Sequence, residues 1–244
     1  MSWLDPLREA LAAATSPPVF FFRDDDGGWA NDRLAALLER FARAGAPVDV
    51  AVIPAALDAE LAALTIGRPG VGVHQHGFAH RNHEPEGRRC EFGPARRPSE
   101  IRRDLIAGRR LLLDAYGQSL DPIFTPPWNR CTPAAAALAA EAGFAALSRD
   151  ASAPPADLPG LAEIPVTLDW FAHRKGVRLA PAELGRRLAE QARAGGPVGV
   201  MLHHAAMDGA QLDSLDELLA AVVAGARCVP MRELRPDLGR VGVA

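Results

Sequence analysis

Seven short, almost uninterrupted apolar runs punctuate the chain, at residues 19–22, 48–53, 71–73, 123–124, 145–147, 162–164 and 198–202. Runs of that length without polar alternation predict strands buried on both faces, as in a parallel sheet. Between them the spacing turns helical. Leu34, Leu37, Leu38 and Phe41 mark one face of a helix over 31–44 that Gly45 ends. Ile101, Leu105, Ile106, Leu112 and Leu113 do the same up to Gly117, with Ser99 as the expected cap. Further helices are predicted at 57–64, at 132–143, where Thr132 and Pro133 form a cap-and-proline start, at 181–194 and at 212–224. Strands alternating with helices mean an α/β fold whose mostly parallel sheet is open or closed into a barrel. The polar stretch from Gln75 to Pro98 fits neither period, and a loop so long inside a compact domain is usually functional.

Composition narrows this to one body. A chain of 244 residues, 48% hydrophobic and 23% charged, can bury a full core, and the Ala-, Pro- and Asp-rich stretch 150–160 reads as an internal loop, so a single domain is expected over 1–244. The formal charge of -3, with arginines such as Arg88, Arg89, Arg102 and Arg110 scattered over a loop and a helix, argues against a nucleic-acid surface. Cys90, Cys131 and Cys228 are odd in number and far apart, which argues against a disulfide framework and a cysteine-rich metal site. No stretch is apolar enough to span a bilayer, and the first residues lack a basic segment followed by an apolar one, so the expected compartment is the cytoplasm.

The chemistry-bearing residues fall at the ends of predicted strands, the edge where parallel α/β folds gather ligands. Asp24-Asp25-Asp26 follows the first run and His76-x3-His80 the third, with His74 and His83 flanking. Alone, the first reads equally as an acidic turn and the second as a surface histidine cluster. Together, one carboxylate and two imidazoles supply three ligands and leave a position open, the composition of a catalytic centre. Three more segments qualify: Thr125-Pro126-Pro127-Trp128-Asn129-Arg130, Leu168-Asp169-Trp170, and Leu202-His203-His204.

In order and spacing these five segments resemble the motifs of the polysaccharide deacetylases, carbohydrate esterase family 4 with the NodB-homology fold, over about residues 20–204. The resemblance implies a distorted (β/α) barrel of about seven mostly parallel strands. It makes Asp25 the general base, Asp26, His76 and His80 the ligands of one divalent metal ion, and His203 the general acid. The backbone N–H of Trp128 becomes an oxyanion donor, and Trp170 and Leu202 belong to the acyl pocket. Four departures accompany it. Thr125 stands where the family has the arginine that tethers the base, leaving Arg23, Arg130 and Asp169 as candidates for that task. Asp24 adds a third aspartate, so a strand ending one residue earlier would let Asp24 and Asp25 exchange roles. His74 and His83 could displace the ligand pair in the same way. His204 occupies a position where the family commonly has an acid.

The imidazole-rich donor set favours zinc, which lowers the pKa of a bound water from ~15.7 toward ~7 and polarises a carbonyl. The expected activity is removal of an N-acyl group, acetyl or formyl, from an amino sugar in a glycan or glycan precursor. Two alternatives use the same residues: a sugar-binding or scaffold protein that has lost hydrolysis, and a metal-dependent amidase or esterase of non-sugar substrates.

Overall fold

The computed structural model describes residues 2–174 and 177–235, apart from the side chain of Arg174. Helix α1 (Asp5–Ala13) leads into strand β1 (Val19–Gly27), α2 (Asn31–Ala44), β2 (Val48–Val52), α3 (Ala59–Thr65) and β3 (Val71–His76). After the long loop come α4 (Pro98–Tyr116), β4 (Leu120–Thr125), α5 (Pro133–Glu141), β5 (Ala146–Leu147), β6 (Ala162–Glu163) and β7 (Leu168–Asp169). An antiparallel ribbon of β8 (His173–Arg174) and β9 (Val177–Arg178) precedes α6 (Pro181–Ala194), β10 (Val198–Leu202), α7 (Gly209–Gly225) and β11 (Arg227–Cys228).

The main sheet runs in the order β6-β5-β4-β3-β2-β1-β10-β7, every pair parallel, with β11 also pairing with β1. This is the expected distorted (β/α) barrel, with eight strands in the path instead of about seven. Periodicity missed β7 and β11 of this sheet and the β8–β9 ribbon, each of these strands only two residues long. Helix α1 was not predicted either, yet Leu4, Leu7 and Leu11 are buried in the main core.

Alternation along β1 sets up the site. Phe20 and Phe22 face the surrounding helices, packing with Leu34, Leu37 and Phe41 of α2, and each such buried ring contributes ~1.5–3 kcal/mol. Phe21 faces the inside of the curl with Ile123, Ala146, Ile164 and Met201. Room for that ring comes from Gly199 opposite, where a Cβ would lie 2.2 Å from Phe21 Cζ. By the same two-residue period Arg23 and Asp25 point inward and Asp24 outward. Cap chemistry follows the sequence in most places: Gly45 takes the left-handed conformation after α2, and Thr132 accepts a hydrogen bond from Ala135 N–H before Pro133. Helix α4 starts two residues earlier than expected, since Arg97 and not Ser99 is its cap and Pro98 is its first residue.

Candidate metal centre and base

Asp26 ends β1 in a left-handed turn with φ of 69°, which swings its carboxylate away from the strand's alternation and toward β3. There Oδ1 lies 3.4 Å from His76 Nε2 and 3.2 Å from His80 Nε2, and among the described residues it has no hydrogen-bond partner. His76 Nδ1 donates to the Thr125 carbonyl at 3.0 Å, which turns its Nε2 toward the same point. A carboxylate oxygen and two imidazole nitrogens converging on one point call for positive charge between them, a proton or a metal cation, and these residues fit a divalent ion. Burial opposes charge on Asp26, but the imidazoles of His76, His203 and His80 outweigh it and hold the carboxyl at about 2. Burial and the neighbouring His76 push His80 down to about 4, which leaves its ring neutral and ready to ligate.

The flanking histidines are elsewhere. His74 lies one step back on β3, fully buried, with Nε2 2.9 Å from Thr125 Oγ1, and burial together with the Arg23 charge lowers it to about 3. His83 is out on the long loop, where burial and Arg96 lower it.

Asp25 is held by Arg23. The guanidinium grips the carboxylate through Nε–Oδ1 at 2.8 Å and Nη2–Oδ2 at 2.9 Å, both side chains buried. Its remaining N–H groups go to Ser148 O at 3.2 Å, Ser148 Oγ at 2.8 Å and Asn129 Oδ1 at 2.7 Å, so all five donors are used. Burial would raise the Asp25 carboxyl, but Arg23, with His76 and His203 beyond it, keeps it below the usual carboxylate range. Of the three tethering candidates, only Arg23 makes the contact. Arg130 donates instead to the Arg89 carbonyl at 3.1 Å, and Asp169 accepts from Phe171 N–H at 2.8 Å while burial raises its carboxyl. Asp24 faces the opposite side of β1, where it meets His204.

His203 follows β10, its ring 6.1 Å from Phe171 and its Nδ1 buried without a partner. Trp128, left-handed at φ of 55°, sets its indole 4.5 Å from the His80 ring. Two pocket expectations need correction. Trp170 and Leu202 lie in the outer layer with Leu184 and Leu215, and Trp170 packs edge-on at 6.2 Å against Trp3. Strand alternation turns both away from the inner face that carries Asp25.

Several residues at the centre were given no role by the sequence, although Asn129 lies within one of the segments it marked. Ser148 and Asn129 orient Arg23, and Trp29 lies edge-on at 4.8 Å from His80. Glu91, buried in the long loop, accepts from Ala79 N–H at 2.8 Å and Phe78 N–H at 3.2 Å, fixing the segment between the two histidines. Gly77 makes this possible, since a Cβ there would lie 2.2 Å from Glu91 Oε2 and its φ is +59°.

The curled parallel sheet is the fold of solved polysaccharide deacetylases. A provisionally named polysaccharide deacetylase from Mycobacterium smegmatis superposes with a TM-score of 0.70 at 17% identity, covering 93% of this chain and 91% of that one. A family 4 acetyl xylan esterase from Clostridium thermocellum, in complex with cobalt, gives 0.57 at 14% identity over 88% and 89%. A family 4 pseudoenzyme from Bacillus anthracis gives 0.61 at 17% identity over 90% of this chain and 66% of that one. The sequence by itself matches no family profile and no curated protein. Among the described residues no helix is long and apolar enough to cross a membrane.

Proposed function

We propose that this chain is a divergent carbohydrate esterase family 4 enzyme that hydrolyses an N-acyl group, acetyl or formyl, from an amino sugar. The observation that carries the reading is the pairing of two differently prepared carboxylates: Asp26 aimed at two imidazoles, and Asp25 locked by Arg23 and kept ionised. Asp26, His76 and His80 would hold a divalent ion, zinc on this donor set, which when bound supplies a Lewis acid and an acidified water. Asp25, ionised, accepts a proton from the attacking water. Trp128 N–H is the donor for the oxyanion that develops on the amide oxygen. His203 then gives a proton to the departing nitrogen, a poor leaving group unless protonated. Arg23 keeps Asp25 from rotating out of line and, by its charge, from being protonated itself.

The place left by Thr125 on β4 does not argue for lost activity, because Arg23 supplies the guanidinium from β1, the strand that carries Asp25 itself. A second reading is kept by the neighbours, which include pseudoenzymes and a mutant of one with restored enzymatic activity. The test is metal analysis of purified protein together with acetate or formate release from a panel of N-acyl amino sugars. Stoichiometric metal and release abolished by Asp26→Ala and His203→Ala are expected. Metal-free protein, or release unaffected by Asp26→Ala, defeats the proposal, and sugar binding without release selects the pseudoenzyme reading.

A further inference from the structure

Two residues singled out by the sequence have no part in that chemistry: Asp24, the extra aspartate, and His204, next to the proposed acid. They meet on the outer side of β1. Both side chains are fully buried, with His204 Nδ1 2.6 Å from Asp24 Oδ2, and the His204 backbone N–H donates to Asp24 Oδ1 at 2.9 Å. The other ring nitrogen, Nε2, is 2.6 Å from the Trp29 carbonyl oxygen. A carbonyl oxygen only accepts, so Nε2 carries a hydrogen, and the carboxylate faces the opposite nitrogen. The ring therefore donates on both sides as a cation paired with Asp24. Burial opposes that charge, but Asp24 outweighs it and raises His204 to about 9.

The Trp29 carbonyl closes a turn that begins at the metal ligand. Trp29 N–H donates to Asp26 O at 3.0 Å, and between them Asp26 and Gly28 have φ of 69° and 111°. Left-handed backbone at a non-glycine residue is costly and persists only when its surroundings fix it. Strand β1 fixes one end of this turn and His204 the other. Trp29 is itself 41% exposed, yet its ring is edge-on to His80. One carbonyl thus links His204 to the turn that aims Asp26 and to the ring that abuts His80.

We propose that Asp24 and His204 are positioning residues that hold the 26–29 turn so that Asp26 and Trp29 meet His80, setting the affinity of this centre for its ion. The inference rests on the metal-centre reading. Residues behind the ligands typically change metal affinity 10–100-fold when removed.

The measurement is zinc affinity by competition with a chromophoric chelator, alongside thermal unfolding. Asp24→Leu/His204→Phe replaces the buried pair by apolar groups of similar volume, a change that proteins often tolerate. We expect a cooperatively folded protein with zinc affinity weakened at least ~10-fold. His204→Gln, which can still donate to the Trp29 carbonyl, should recover part of it. Trp29→Ala alters an exposed side chain and keeps the fold, and it should weaken zinc several-fold. A folded double variant with zinc affinity within about twofold of the parent overturns the inference, whatever its unfolding temperature. If the double variant does not fold, unchanged affinity in Trp29→Ala overturns it. Parent protein that binds no zinc defeats the metal-centre reading instead, so the two failures are distinguishable.

Discussion

Replacing Arg23 by glutamine tests the reassigned tether directly. The side chain is fully buried and spends every N–H on Asp25, Ser148 and Asn129. Removing one partner of a buried ion pair costs ~3–5 kcal/mol, because the other charge is left desolvated and alone. For a domain of this size each kcal/mol lowers the unfolding temperature by ~2–4 °C, so a drop of ~6–20 °C is expected. The catalytic effect has a definite sign. Burial is the largest influence on Asp25 and raises its carboxyl, and Arg23 is the foremost group that reverses it. Without the guanidinium the folded pKa rises, Asp25 is protonated over more of the neutral range, and the acid limb of kcat/KM against pH moves upward. Loss of a positioned base costs ~10²–10⁴-fold at pH 7, partly recovered at higher pH. Arg23→Lys should fall between, since an ammonium keeps the charge but loses the two-pronged grip. The assay is the pH profile of deacylation with zinc saturating, on protein shown to be folded. An acid limb in Arg23→Gln that coincides with the parent's would refute the assignment of Arg23 as tether of the base.

Three further outcomes are expected. Asp49 and Asp121 lie at the N-terminal ends of β2 and β4, each with one carboxylate oxygen buried near Gly72 without a partner among the described residues; burial raises Asp49 to about 7 and Asp121 to about 6. Since a raised carboxyl stabilises only while protonated, the Asp49 contribution, about 4 kcal/mol, is full below pH ~4 and lost as pH rises through ~7. Asp49→Asn should therefore be more stable than the parent at pH 8 and show a flatter chemical-denaturation profile from pH 4 to 8, with a residual slope from Asp121. Glu91→Gln, which puts an amide group against the N–H groups of Phe78 and Ala79, should weaken zinc ~10–100-fold in calorimetric titration. Zinc at about a hundred times its Kd should add ~2.7 kcal/mol, raising the unfolding temperature by ~5–10 °C, an effect that EDTA reverses and Asp26→Ala abolishes.

Much of the site was legible because it is built from strand ends. Asp26, His76 and His80 come together in the structure as their types and order anticipated. The two-residue period of β1 would also have placed Arg23 on the face of Asp25, had the strand been extended past Phe22 to its true end at Gly27. The failures have physical causes. Trp170 and Leu202 were assigned to the pocket by motif position, but inward or outward orientation depends on strand register, and both turn toward the helices. Glu91 reaches the His76–His80 segment from the far arm of a long loop, and no local pattern announces such a contact.

The sequence by itself determined the α/β alternation and the mostly parallel sheet, because burial period is a local property of the chain, while the barrel and the choice of Asp26, His76 and His80 as the candidate metal triad came through the family resemblance. Only the tertiary structure decided which arginine holds Asp25, that Asp24 pairs with His204, and which aromatic rings flank His80. Those are contacts between residues as many as 180 positions apart, as between Asp24 and His204. Register and sheet curvature create them, and neither is written in any single segment.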